Sequence, residues 1–574
     1  MEYLTHTLNL ALVYVLLTVS LNLILGYGGM ASMAHAAFFC IGGYLSAIVT
    51  MHWGCNFLVG IGLAIIVTAA VGGALAAPFI RVHEEYLILF TIAFQMVVFL
   101  LMLSLPGITG GDSGIFGVPG PRLFGLAPQG PIHFLPFMVV FVLMVYFVAF
   151  KITHSPFGRV LKGIREDEMS VTSLGKDVKK FKIMIFMVGT GIAAGAGGIF
   201  AHYSQFINPS IGTLDESILI IAMVVLGGTA NLWGSAVGAF LLILIPEGLT
   251  FLPGASDLIV PLRSFIYGLL LILFMRFRPE GLVPEYLHLR RFEKKDETVK
   301  LPSLAEMLSR QAHPGSKEEA FSGQSLLEVQ GLSRSFGGLK AVDDFSMTLE
   351  KSKVTALVGP NGCGKTTAFN LMTGFLKPDQ GRIFFQKKDI TNLPSHKMPH
   401  IGIVRSWQDV RNFQGMTVLD NVLIANQKQS GERLLKLFFT PWKWKREEKE
   451  NLEKAFLYLE KVGLLKKRGE IARNLSYAEQ KLLAIARLLS TGAEVLLLDE
   501  PSSGVDPNWV KRFMAIIRDL AQSGKTICIV EHNLEVVRGV SDTVYFMAEG
   551  KRIAQGKAED LMADPKLGEI YFGV

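Results

Sequence analysis

The chain has 574 residues, 50% of them hydrophobic and 18% charged, with a formal net charge of +7. Such a length exceeds one ordinary domain, and the uneven charge, with no Lys or Arg before Arg81, excludes a uniformly soluble fold. Basic clusters flanking membrane segments account for the positive balance, so no nucleic-acid role follows from it. Four cysteines (Cys40, Cys55, Cys363, Cys528) are scattered without metal-ligand spacing, which argues against a disulfide framework.

Apolar runs of spanning length lie at about 7–25, 34–52, 57–77, 85–105, 132–150, 183–202 and 262–277. A longer stretch, 217–249, is broken at Gly227-Gly228-Thr229-Ala230-Asn231 and reads as two segments. No basic region precedes the first run, so it reads as a span and not as a cleaved signal. The loop 151–182 carries Lys151, Arg159, Lys162, Arg165, Lys176, Lys179, Lys180 and Lys182, and must be cytoplasmic. The stretch after the last run (Arg276, Arg278, Arg290, Arg291, Lys294, Lys295) must be cytoplasmic too. Counting both halves of 217–249 as crossings gives about nine spans with the N-terminus outside; eight and ten are the neighbouring counts.

Glycines mark the spans: Gly26, Gly28 and Gly29 interrupt the first region, and Gly42-Gly43 and Gly72-Gly73 follow. Two readings stand, close helix packing through small residues or broken helices that offer backbone groups to a solute. His35, Gln95, Asn231 and Glu247 sit at membrane depth, as path-lining groups or as hydrogen-bonded structural ones. The loop 106–131 is turn-rich and external, a docking surface for an outside partner. Within 151–182, Gly158 to Leu174 reads as one helix too polar to span. It is either solvated or, as favoured here, seated in a groove of the following domain to transmit its motion.

Residues 290–325 form a polar linker without an apolar periodicity, and from 326 to 574 strand and helix patterns alternate as in an α/β core. The strand Val354-Thr355-Ala356-Leu357-Val358 leads into Gly359-Pro360-Asn361-Gly362-Cys363-Gly364-Lys365-Thr366-Thr367, a phosphate-binding loop opening a helix. Its backbone N–H groups cradle phosphates, Lys365 supplies a point charge, and Thr366 offers a hydroxyl to Mg²⁺. Cys363 is a space-filler there, or a thiol activated by the helix N-terminus. A second strand, Leu496-Leu497-Leu498-Asp499, ends in Asp499 for Mg²⁺ and Glu500 to polarise an attacking water. A third, Ile527-Cys528-Ile529-Val530, ends in Glu531-His532, with the histidine placed to sense a γ-phosphate.

With Leu475-Ser476-Tyr477-Ala478-Glu479-Gln480 ahead of the second strand, residues 326–574 resemble the ABC transporter ATPases, every motif in order. The resemblance makes Gln408, in Ser406-Trp407-Gln408-Asp409, the lid glutamine and a Mg²⁺ ligand beside Thr366 and Asp499. Ser503-Gly504-Val505-Asp506 becomes the D-loop and His532 the switch histidine. Phe336 stacks on adenine, and Lys365, Glu500, Gln408 and His532 carry ATP hydrolysis. Two such domains sandwich two ATPs, so that Ser476, Ala478 and Glu479 act on the partner's nucleotide. Ala478 departs from the family's usual glycine, with a methyl that crowds the nucleotide or restricts φ.

Leu21-Asn22-Leu23-Ile24-Leu25-Gly26-Tyr27-Gly28-Gly29, His35-Ala36-Ala37-Phe38-Phe39 and Thr109-Gly110-Gly111-Asp112-Ser113-Gly114 resemble branched-chain amino acid permeases of bacterial importers. So do Ser155-Pro156-Phe157-Gly158-Arg159 and Val224-Val225-Leu226-Gly227-Gly228. The ATPase half is similar to that system's ATP-binding subunit, including an insertion at 438–449 and the Ile570-Tyr571-Phe572-Gly573 end. The expectation is therefore an all-α polytopic membrane domain (1–289), a cytoplasmic linker (290–325) and an α/β ABC ATPase domain (326–574). Together they make a fused half-importer of the bacterial inner membrane. Its implied partners are a second permease and ATPase half, homologous or another copy, and an extracytoplasmic solute-binding protein. Import of urea or short-chain amides is the near alternative, and an ATP-gated channel or sensor the distant one. An exporter is disfavoured by the short cytoplasmic loops.

Overall fold

The computed structural model describes residues 2–79, 84–121, 130–249, scattered positions between 265 and 285, and 325–564. It divides into two compact units, Met1–Arg165 with Val178–Val299, and Glu166–Asp177 with Lys300–Val574.

The first unit is helical. Six helices among the described residues are long and apolar enough to cross a membrane, running over Glu2–Tyr27, His35–Trp53, Phe57–Pro78, Tyr86–Ser104, Pro131–Thr153 and Val178–Ser204. The split stretch 217–249 forms two shorter helices, Leu214–Gly227 and Leu232–Leu249. Their break has a local cause: Gly228 takes φ 121° and Ala230 φ 58°. Asn231 Oδ1 then accepts from the N–H groups of Trp233 and Gly234 as the second helix opens. The run 262–277 is described only at scattered positions, and 290–324 and 570–573 lie outside the described residues. The short strands β1 (Ile115–Phe116) and β2 (Phe206–Ile207) pair antiparallel.

The membrane glycines serve a helix break at one place and close packing elsewhere. The first helix passes into a π-helical turn at Leu23–Tyr27, where the Gly26 carbonyl accepts from Arg165 Nη1 at 2.6 Å. Elsewhere glycine permits contact: a Cβ on Gly42 would lie 2.2 Å from Ala194 Cα, and one on Gly197 2.0 Å from the Phe39 carbonyl. The helices His35–Trp53 and Val178–Ser204 touch backbone to backbone there. The polar candidates are internally satisfied in part. His35 Nε2 meets Ser20 Oγ at 2.7 Å. Gln95 accepts from Ala37 N and donates to the Gly212 carbonyl, Asn231 donates to the Pro284 carbonyl, and Glu247 accepts from Tyr3. His35, Gln95 and Asn231 are fully buried, which favours their structural role.

The single helix expected from Gly158 to Leu174 is instead two, Pro156–Glu166 and Glu168–Ser173. Asp167 breaks it by adopting extended φ/ψ and capping the second helix through the Ser170 N–H. An Asp side chain competes with the helix for such donors, which the apolar pattern alone does not reveal.

The second unit is α/β. Its strands are β3 (Ser325–Phe336), β4 (Leu339–Glu350), β5 (Val354–Val358), β6 (Gln380–Phe385), β7 (Lys388–Asp389) and β8 (Ile403–Arg405). Then come β9 (Val495–Asp499), β10 (Thr526–Val530), β11 (Thr543–Ala548) and β12 (Lys551–Gly556). One sheet has the order β12-β11-β5-β10-β9-β8, and a second, antiparallel sheet runs β4-β3-β6-β7. In the first sheet β11, β5, β10, β9 and β8 are parallel and β12 closes the edge antiparallel. Strands β5, β9 and β10 are buried at every position, which explains their unbroken apolar runs. The carboxyl ends of these three adjacent strands carry the phosphate loop, Glu500 and His532, at the edge where open parallel sheets bind ligands.

Candidate nucleotide site

Gly364 closes the phosphate loop at φ 106°, with its Cβ position only 2.2 Å from the Ala341 carbonyl, so no side chain fits. It caps the helix Lys365–Met372 without any side-chain bond, and that helix has no acidic residue in its first turn. The N–H groups there are thus left to an outside acceptor. Lys365 is buried, its Nζ donating to the carbonyls of Gly359 and Pro360 at 2.8 Å each. Asn361, Gly362 and Thr366 are exposed on the loop and Thr367 is half-buried. Burial pushes the Cys363 thiol up, and the opposing Lys365 does not overcome it. The buried thiol and this direction favour the space-filling reading of Cys363 over the activated-thiol one.

Three of the expected catalytic side chains meet. Glu500 Oε1 lies 3.1 Å from His532 Nε2, and Glu500 Oε2 accepts from Gln408 Nε2 at 3.1 Å. Glu500 adopts φ 43°, a left-handed conformation unfavourable for a side chain with a Cβ. It is held there by its own N–H to the Val530 carbonyl at 2.9 Å and by Lys481 Nζ on its carbonyl at 2.9 Å. Lys481 also binds the Ser503 carbonyl at 2.6 Å, joining the helix Tyr477–Ser490 to the turn after Glu500. Sequence reasoning missed Lys481, because nothing in its own helix names partners about twenty residues away.

Asp499 ends β9 with its Oδ2 3.2 Å from Arg405 Nη2, both side chains 1% exposed. Its Oδ1 is buried without a hydrogen-bond partner among the described residues. Burial pushes the Asp499 carboxyl up while Arg405 opposes it, and burial pushes Arg405 down to about 10. Arg405 also contacts the Trp407 ring at 4.3 Å, and Arg411 approaches the same ring at 5.2 Å. Arg405 was unforeseen, although one Arg ending an apolar strand was a usable signal. Phe336 is half-exposed at the end of β3 with the Arg334 guanidinium 5.2 Å from its ring.

The short helix Glu168–Ser173 belongs to this unit. Asp167 Oδ2 pairs with Arg411 Nη1 at 3.1 Å, and Ser170 Oγ donates to the Arg411 carbonyl at 3.0 Å. Glu166 accepts from Gly415 N, Gln427 Nε2 donates to the Leu174 carbonyl, and Lys176 pairs with Glu432. The loop is thus bound three residues from Gln408.

Ser476, Ala478 and Glu479 form the start of the helix Tyr477–Ser490. Ser476 and Glu479 make a capping box, and Lys467 Nζ reaches Glu479 at 3.0 Å. Ala478 lies in the helix and is absent from the positive-φ residues, so its methyl restricts nothing in the backbone. The methyl can act only by crowding the nucleotide. Asp506, in the D-loop stretch, caps the helix Pro507–Gln522.

Residues 3–275 match the family described as branched-chain amino acid transport system / permease component, and 342–503 match ABC transporter. A probable branched-chain amino acid transport ATP-binding protein LivG of Archaeoglobus fulgidus is 41% identical over 248 residues, covering 43% of this chain and 95% of the relative. The high-affinity LivG of Salmonella typhimurium is 38% identical over 251 residues, covering 44% and 98%. A crystal structure of a nucleotide-free ATP-binding cassette from an ABC transporter is 37% identical, with a TM-score of 0.39 over 43% of this chain and 98% of that one.

Proposed function

Since the chain belongs to the ABC transporter family, as a permease component of the branched-chain amino acid type fused to its ATPase, we propose that it imports branched-chain or similar hydrophobic amino acids. Its ATPase faces the cytoplasm and hydrolyses ATP to drive the transport. The observation that carries the reading of a turning-over enzyme is Glu500 held between His532 and Gln408 beside the phosphate loop. A gate that only binds nucleotide has no need of such a base.

In this proposal the loop from Gly359 to Thr367 binds the phosphates through its N–H groups, and Lys365 turns from the Gly359 and Pro360 carbonyls to the β/γ-phosphates. Phe336 stacks on adenine. Thr366, Gln408 and Asp499 fit a Mg²⁺ ion, because Asp499 keeps a buried unpartnered oxygen aimed at nothing else among the described residues. When bound, the ion neutralises phosphate charge. Glu500 accepts a proton from the attacking water while Gln408 and His532 orient it. Ser476, Ala478 and Glu479 act on the nucleotide of a second ATPase, which comes with a second permease as a homologous pair or another copy. The chain divides for these tasks at 1–289, 290–325 and 326–574. The segment Glu166–Asp177 carries motion from the lid region around Arg411 to the permease, and a solute-binding protein delivers the cargo outside.

The test is ATPase activity of the chain and its second half in lipid, with candidate binding proteins carrying leucine or urea. Stimulation by the leucine-loaded protein is expected. Stimulation by the urea-loaded protein alone would transfer the assignment to amides. Transport-independent, unstimulated binding would leave a gated channel.

A further inference from the structure

The segment that follows Glu432, which contains the 438–449 insertion, takes no part in the nucleotide site, yet it presents an unusual surface. It comprises the helices Leu434–Phe439 and Pro441–Lys461 joined through Thr440. Their inner side is anchored: Leu437 is fully buried, and Glu447 accepts from Ser430 N and Oγ at 2.7 and 2.8 Å. The outer side exposes Leu435 by 75%, Phe439 by 74% and Trp442 by 71%. Around them stand Arg433, Lys436, Lys443, Lys445 and Arg446, and 433–446 contains no Asp or Glu. Arg446 pairs with Glu450 at 3.2 Å, and the carboxylates that flank the stretch in sequence are Glu432 and Glu447.

Three large apolar side chains in water are costly unless something covers them. Their company decides what does. Aromatic and Leu side chains beside Lys and Arg are the composition that settles into the headgroup layer of an anionic bilayer. The segment is also tied to a membrane helix by a short stretch of chain. Glu432, next to Arg433, pairs with Lys176, and Val178 opens the membrane helix Val178–Ser204 two positions later, within about 7 Å of chain. The first turn of that helix carries the exposed Lys179 and Lys180, basic residues of the kind that flank the cytoplasmic end of a span.

We infer that Leu435, Phe439 and Trp442 insert into the cytoplasmic leaflet of the chain's own membrane, with Lys436, Lys443 and Lys445 on anionic lipid headgroups. The ATPase then holds a second grip on the bilayer besides its covalent tether. The attraction is electrostatic in part, so it weakens with salt and with the loss of anionic lipid.

The probe is brominated phosphatidylglycerol in nanodiscs holding the full chain. Wild-type fluorescence minus that of Trp442→Phe isolates Trp442 from the other five tryptophans. Quenching of the isolated signal is expected, falling by half or more in purely zwitterionic lipid, at high salt, or in the Lys443→Glu/Lys445→Glu variant. The variants should keep basal ATPase activity, since none of these residues lies in the site. An unquenched Trp442 in every composition overturns the inference. So does cross-linking of Trp442→Cys to another subunit in place of quenching, which would make the patch a protein interface.

Discussion

Two helices of the ATPase begin in opposite ways, and the contrast describes the enzyme. The phosphate-loop helix Lys365–Met372 opens on a glycine with no side-chain cap and no acid in its first turn. The signature helix Tyr477–Ser490 opens on a closed capping box, with Glu479 bonded to Ser476 and paired with Lys467. Both ends present the positive pole of a helix dipole. The first leaves its donors for phosphate, while the second has already met part of that demand with its own carboxylate. A helix N-terminus is therefore an anion site only as far as the chain declines to cap it. In the proposed sandwich this chain brings one open end and one partly satisfied end to two different ATPs.

The largest break in the comparison is at the open end. Glu500→Gln should lower ATP turnover about 100-fold or more while retaining nucleotide binding, and Lys365→Ala should lose binding itself. Equilibrium nucleotide binding beside turnover separates the two. Loss of both together in Glu500→Gln would move the residue from catalysis to scaffolding.

At the capped end, Glu479→Gln removes the charge and keeps a side chain able to form the box. The apparent KM for ATP should fall about two- to five-fold, the effect of one charge at a helix terminus. Lys467→Ala leaves the carboxylate uncompensated, and KM should rise. Equal values in all three proteins would show that the signature helix does not approach phosphate.

A smaller gain, about two-fold in turnover by the same scale of effects, is expected for Ala478→Gly, which removes the methyl without altering the helix start. Unchanged turnover would remove the idea that the two ATP sites work unequally.

The smallest effect concerns acid stability. Burial raises the Glu479 carboxyl, but hydrogen bonds from Lys467 and Ser476 outweigh it and hold it below the usual value of 4.5. A depressed folded-state pKa contributes stability above the unfolded pKa, lost as pH falls through the folded one. The Tm difference between wild type and Glu479→Gln should therefore be constant at neutral pH and shrink below about pH 4.5. A difference that persists at pH 3 would assign it to packing.

The shape of the phosphate loop was legible because it lies in nine consecutive residues whose spacing shapes the backbone directly. Asp499, Glu500 and His532 were legible for a related reason, since each ends an apolar run that can only be a buried parallel strand. The six long apolar helices among the described residues lie on runs that hydropathy marks, and the split at Gly227–Asn231 follows from its glycines. Of the two readings of Ala478, crowding of the nucleotide or restriction of φ, the helical geometry at that position removes the second.

What tertiary structure decided is which distant groups share a charge or a donor. Arg405 and Asp499 are ninety-four residues apart and become one buried ion pair. Lys481 steadies the strained Glu500 from another helix. Asp167 splits an expected helix to pair with Arg411 across 244 residues. Local pattern determines where the chain must be apolar, tight or capped, because those demands act within a few residues. Pairing across the sheet depends on how separate elements pack, and no local spacing encodes that.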